Sequence, residues 1–125
     1  MQPTSLFLNA RVHRLITDGE VVYNAGDQGH QMFGIVSGSV ELRKGTTVVA
    51  SLGPNDVFGE RALIDGLPRN LTAVAVTETV LAVIDEKDFL FLVHESSTFA
   101  LGIMGALASR LRDYDDRVAT FKDNA

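Results

Sequence analysis

The chain has 125 residues, 46% hydrophobic and 22% charged, a globular composition that argues against disorder and fits one domain spanning 1–125. Cysteine is absent, which excludes disulfides, thiolate nucleophiles and zinc–thiolate sites and suits a reducing, cytoplasmic setting. With 16 acidic against 11 basic residues the formal charge is -5, the wrong sign for tracking a nucleic-acid backbone. No apolar run reaches the ~20 residues that a membrane span needs, and Met1-Gln2-Pro3-Thr4 does not open a signal peptide.

Residues 5–17 show no clean helical stripe. From there the chain reads as short strands separated by turns. Runs rich in Val, Ile, Leu and Phe at Glu20–Tyr23, Gln31–Val36, Ser39–Lys44, Thr47–Leu52, Ala73–Val76 and Val80–Ile84 are four to eight residues long. Asn24-Ala25-Gly26-Asp27, Ser37-Gly38, Lys44-Gly45, Gly53-Pro54-Asn55-Asp56 and Asp65-Gly66-Leu67-Pro68 supply the turns. Strands at this spacing, without long intervening helices, predict an antiparallel sandwich or barrel.

The character changes near Asp85. Asp85 suits the N-cap of a helix over Glu86–His94, with Phe89, Leu90, Leu92 and Val93 along one side. Ser96-Ser97 interrupts, and either serine can cap a second helix running from about Thr98 past Tyr114. The layout is α+β, mainly β, with a barrel over about 15–85 and closing helices over about 86–122. Met104, Leu107, Leu111, Tyr114, Val118 and Phe121 are spaced 3, 4, 3, 4, 3, an a/d seam. A stripe packing on its own barrel accounts for Phe99, Leu101 and Ile103. Self-association accounts better for the later members, and a homodimer through Met104, Leu107, Leu111, Tyr114 and Val118 is expected.

The segment from Asp56 to Ala73 carries the chemistry. Gly59 permits close backbone approach, and Glu60-Arg61-Ala62-Leu63-Ile64 can form one helical turn whose N-terminal N–H groups favour an anion. Nine residues after Glu60 comes Arg69, which the Gly66-Leu67-Pro68 turn can fold back to the same point. A guanidinium forks onto phosphate, and a carboxylate accepts from sugar hydroxyls, so one site can hold both. The competing structural role for Arg69 is an ion pair with Asp65 or Glu60. For Glu60 it is a carboxylate at the start of a helical turn.

Phe58-Gly59-Glu60-Arg61-Ala62-Leu63 followed by Pro68-Arg69 resembles the phosphate-binding cassette of cyclic-nucleotide-binding domains. That family includes catabolite-activator-type regulators, protein kinase A regulatory subunits and cyclic-nucleotide-gated channels. Gly26-Asp27-Gln28-Gly29 with Met32–Leu42 resembles the family's early turn and strands, and Phe89–Val93 and Leu107–Arg112 resemble its closing helices. The resemblance spans about 19–112. It implies a jelly-roll barrel of about eight antiparallel strands with C-terminal helices, binding cAMP or cGMP. Arg69 would pair with the cyclic phosphate and Glu60 would accept from the ribose 2′-hydroxyl. Gly59, Arg61 and Ala62 would offer backbone contacts, and Leu42 and Ala50 would face the base. Two positions depart from the family pattern: Asn70, which can still donate an amide N–H to phosphate, and Leu71, bulkier than the usual small residue.

No helix-turn-helix segment follows the long helix in this sequence, so no direct nucleic-acid contact is expected. His13, His30 and His94 lie on three elements without metal-ligand spacing, and Ser37-Gly38-Ser39 is a turn rather than a nucleophile elbow. No metal, cofactor or catalytic role is assigned. The sequence therefore reads as a non-enzymatic cyclic-nucleotide sensor signalling through its C-terminal helix. The alternative is a ligand-free interaction or dimerisation module that keeps the fold, to which Leu71 points.

Overall fold

The computed structural model describes residues 7–108. Eight strands are present among them: β1 Val12–Ile16, β2 Val21–Tyr23, β3 Gln31–Ser37, β4 Val40–Lys44, β5 Thr47–Leu52, β6 Val57–Phe58, β7 Thr72–Ala75 and β8 Thr79–Asp85. One helical turn, α1, covers Arg61–Ile64, and two helices follow the strands, α2 Glu86–Glu95 and α3 Ser97–Ala108. The strands form two four-stranded sheets, β1-β8-β3-β6 and β2-β7-β4-β5, in which every pairing is antiparallel. This is the jelly-roll layout with helices at the C-terminal end.

The apolar runs follow from a double core. In β3, Met32, Phe33, Gly34 and Ile35 are all buried in succession. Phe33 and Ile35 point between the sheets with Ile16, Val40, Leu42, Phe58, Ala73, Leu81 and Val83. Met32 points the other way, into a second layer with Phe7, Val57, Ala82, Ile84, Phe99 and Ile103. At Gly34 a Cβ would come within 2.6 Å of the Phe7 ring, so the aromatic packs directly onto the strand backbone at that point. A strand covered on both faces loses the polar alternation of a half-buried one, which is why β3 and β8 read as continuous hydrophobic stretches.

The helices attach as the capping residues dictate. The Asp85 carboxylate accepts from Asp88 N–H at 2.8 Å and caps α2. Ser96 Oγ accepts from Phe99 N–H at 3.1 Å, and the axes of α2 and α3 meet there at a 115° bend. Three expectations change. The side of α2 facing the barrel carries Phe89 and Leu92, while Leu90 and Val93 are exposed. Leu101 is exposed as well, leaving Phe99 and Ile103 as the buried residues of α3. Two strands, β1 and β6, join the sheets beyond those read from the sequence.

The Asp85 cap carries a pH dependence. The N–H donated by Asp88 holds its carboxyl below the usual 3.8, with burial opposing and Arg11 assisting. A depressed folded-state pKa means stabilisation that is present above the unfolded value and lost as pH falls through the folded one. Asp85→Ala should therefore lower the melting temperature at neutral pH. In thermal melts the gap between variant and wild type should narrow as pH falls through and below the ordinary carboxylate range.

Candidate functional site

The cassette segment enters from β6 through Gly59, whose φ of +77° lies in the left-handed region that favours glycine. Glu60 stands at the N-cap of α1 and is buried, with 1% of its surface exposed. With only four residues, α1 has too few peptide dipoles for its N-terminus to dominate the site. The positive charge at the site comes from Arg69.

Arg69 is folded into the protein, 8% exposed. Its NH1 donates to the Gly59 carbonyl at 2.8 Å and its NH2 to the Gln31 carbonyl at 2.7 Å. The guanidinium carbon lies 4.2 Å from the centroid of the Tyr23 ring and 5.9 Å from that of Phe33. Backbone contacts fix the same segment: Arg69 N–H donates to the Asp27 carbonyl at 2.8 Å and Gly26 N–H to the Arg69 carbonyl at 2.7 Å. Its Nε–H is buried and has no hydrogen-bond partner among the described residues. Burial lowers the guanidinium's pKa, and Tyr23, Glu60 and Asp27 act through space in the opposite direction.

Surface pairing with Asp65 is thereby ruled out for Arg69. Asp65 instead bonds Arg61 at 3.3 Å, an exposed i,i+4 pair. Neutral carbonyls and an aromatic face stabilise a cation without cancelling its charge. Such an arginine suits an anion that arrives later.

The sequence-derived residues fall in three groups. Gly59, Glu60, Ala62 and Arg69 gather at the cassette, with Ala62 buried on α1. Leu42 and Ala50 sit opposite each other across β4 and β5 and face the space between the sheets. Leu71 packs against that same inter-sheet core together with Ala50 and Leu52. Arg61 and Asn70 are exposed. A cavity of about 420 Å³ opens beside Arg69, with Tyr23, Gly29, His30, Gln31 and Phe33 in its wall. Arg69 is the one residue of the sequence-derived set that lines it.

Three contributors were missed by sequence reasoning. Gln31 acts through a main-chain carbonyl, which its side chain does not advertise, and it lies 38 residues from Arg69. Tyr23 read as a strand residue, and Gly29 as part of a turn. Among the described residues no group of three or more His, Asp or Glu side chains could hold a metal ion.

Comparison with known proteins identifies the family. The family model of the cyclic nucleotide-binding domain matches residues 13–96, and the chain belongs to that family. It is 32% identical over 119 residues to the cyclic AMP receptor protein of Thermus thermophilus, covering 91% of this chain and 55% of that protein. A cAMP-dependent protein kinase regulatory subunit from Eremothecium gossypii is 33% identical over 85 residues, covering 68% of this chain and 19% of the subunit. The chain thus spans about half of the first relative and a fifth of the second. The crystal structure of Thermus thermophilus catabolite activator protein superposes with a TM-score of 0.81 at 31% identity, over 94% of this chain and 58% of that one.

Proposed function

We propose that this domain is a non-enzymatic sensor that takes a cyclic nucleotide at the cassette and passes its occupancy to the C-terminal helices. The observation that carries the reading is the buried Arg69 guanidinium, docked on two carbonyls and a ring and still charged. Arg69 pairs with the cyclic phosphate, and Glu60 accepts from the ribose 2′-hydroxyl. Gly59, Arg61, Ala62 and the Asn70 amide supply further polar contacts, and Leu42 and Ala50 form the wall towards the base. This reading asks for a cytoplasmic protein.

Leu63 supplies the route out of the site. It lies on α1 and packs against the sheet–helix core that holds Phe89, Leu92, Phe99 and Ile103. A ligand shifts a conformational equilibrium only by its differential affinity for the two states. Ordering α1 around a phosphate changes how Leu63 seats against α2 and α3, and so biases the bend at Ser96. Met104 is 61% exposed on α3, which is the start of the heptad seam, and Leu107 beside it is half-buried. The seam's later members, Leu111, Tyr114 and Val118, lie outside the described residues. We infer a homodimer along this seam whose geometry responds to nucleotide.

Two measurements test these readings. Isothermal titration of nucleotide-stripped protein should show saturable binding of cAMP. Arg69→Ala should weaken it by about a hundredfold or more, because a buried phosphate without its cation is an uncompensated charge. Glu60→Gln should cost less, since its amide carbonyl still accepts from a hydroxyl. Wild-type affinity in Arg69→Ala would misplace the phosphate. In analytical ultracentrifugation, the wild type should sediment as a dimer and Met104→Glu should shift it towards monomer, with cAMP altering the balance. A monomer at every concentration, indifferent to mutation and ligand, would reduce the heptad to a packing stripe.

A further inference from the structure

The Arg69 guanidinium lies over Tyr23, whose ring centroid is 4.2 Å from Cζ. Tyr23 does not stand alone. Its ring is tilted against Phe33 at 6.2 Å and Phe58 at 6.1 Å, and those two stack on each other at 5.3 Å, so an aromatic wall backs it. From the loop between β2 and β3, Gly29 closes on the same group. A Cβ at Gly29 would overlap Nε, Cζ and NH2 of Arg69. The φ of Gly29 lies outside the left-handed region, so the position calls for a missing side chain rather than for an unusual backbone.

We propose that Tyr23 and Gly29 form a slot that fixes the plane of the Arg69 guanidinium before the anion arrives, with Tyr23 as the positioning residue. The inference rests on the reading of this site as a cyclic-nucleotide pocket. A slot between a ring and a bare Cα fits a planar guanidinium, whereas a tetrahedral ammonium has no flat face to lay against it. The aromatic face holds the cation through its quadrupole and leaves its charge in place for phosphate. A hydrogen-bonded carboxylate in that position would cancel the charge and repel the ligand. Freezing the arginine's rotamers in advance also removes an ordering cost from binding. Tyr23 therefore contributes to affinity through the arginine it positions.

Two readouts on the full chain test the slot. The first needs no ligand: the Nε–Hε resonance of Arg69 in the nuclear magnetic resonance spectrum should carry a ring-current shift. Tyr23→Phe should keep that shift and Tyr23→Leu should lose it. The second is calorimetric titration with cAMP. Tyr23→Phe should bind within about threefold of wild type and Tyr23→Leu about tenfold more weakly. In an Arg69→Gln background, Tyr23→Leu should cause no further loss, because its effect passes through the arginine. If Tyr23→Leu does not fold, Tyr23→Met takes its place as an adaptable filler of the wall.

An unmoved resonance or undiminished affinity in Tyr23→Leu overturns the proposal. So does a Tyr23→Phe variant as weak as Tyr23→Leu, or an equal loss in the Arg69→Gln background. If the wild type takes no cyclic nucleotide, the reading of the site falls, and the ligand-free resonance alone decides the slot.

Discussion

The guanidinium of Arg69 joins parts of the chain that are far apart in sequence. It bonds the Gly59 carbonyl at the exit of β6 and the Gln31 carbonyl at the start of β3, and lies against Tyr23 at the end of β2. Its backbone is held at the same time by Gly26 and Asp27. Removing a charged group from water is costly, so the fold has to supply compensating dipoles. It does so with two carbonyls at hydrogen-bonding distance and a ring, none of which neutralises the guanidinium, while Glu60 and Asp27 act on it through space. The loop between β2 and β3, the cassette and the entry to β3 all depend on that one docked side chain for their mutual position.

The two sheets make this docking possible. β3 pairs with β8 on one side and with β6 on the other, which brings the start of β3 beside Gly59. β2 belongs to the opposite sheet, pairing with β7, and it delivers Tyr23 across the inter-sheet core onto Phe33 and Phe58. The second core layer, built by Met32, Phe89, Phe99 and Ile103, seats the helices on the outer face of the first sheet. Leu63 touches that layer from the cassette side. Leu63 thus joins the cassette turn to the core layer that seats α2 and α3, the coupling that the proposed sensor role requires.

Much of this was legible in the sequence where the signal is local. The cassette could be read because Gly59, Glu60 and Arg69 are close along the chain and their residue types declare a turn, a carboxylate and a fork-shaped cation. The caps at Asp85 and Ser96 were legible for the same reason. β1 was not, because Val12-His13-Arg14-Leu15-Ile16 buries only Ile16 and shows neither stripe nor alternation. β6, at two residues, is too short to carry a pattern. The exposure of Leu90, Val93 and Leu101 was hidden because composition marks a helix as apolar without saying which arc meets the sheet. The distant partners of Arg69 were not legible: Gln31 acts through a main-chain carbonyl 38 residues away, and only the fold brings Tyr23 and Gly29 to the guanidinium.

The account stands on a cation that is in place before its ligand. A crystal structure of the protein with cAMP tests this most directly. The predicted result is the cyclic phosphate on Arg69, with the bonds to the Gly59 and Gln31 carbonyls and the stacking on Tyr23 retained. A phosphate bound elsewhere, or an Arg69 side chain swung away from both carbonyls to reach it, would contradict the account.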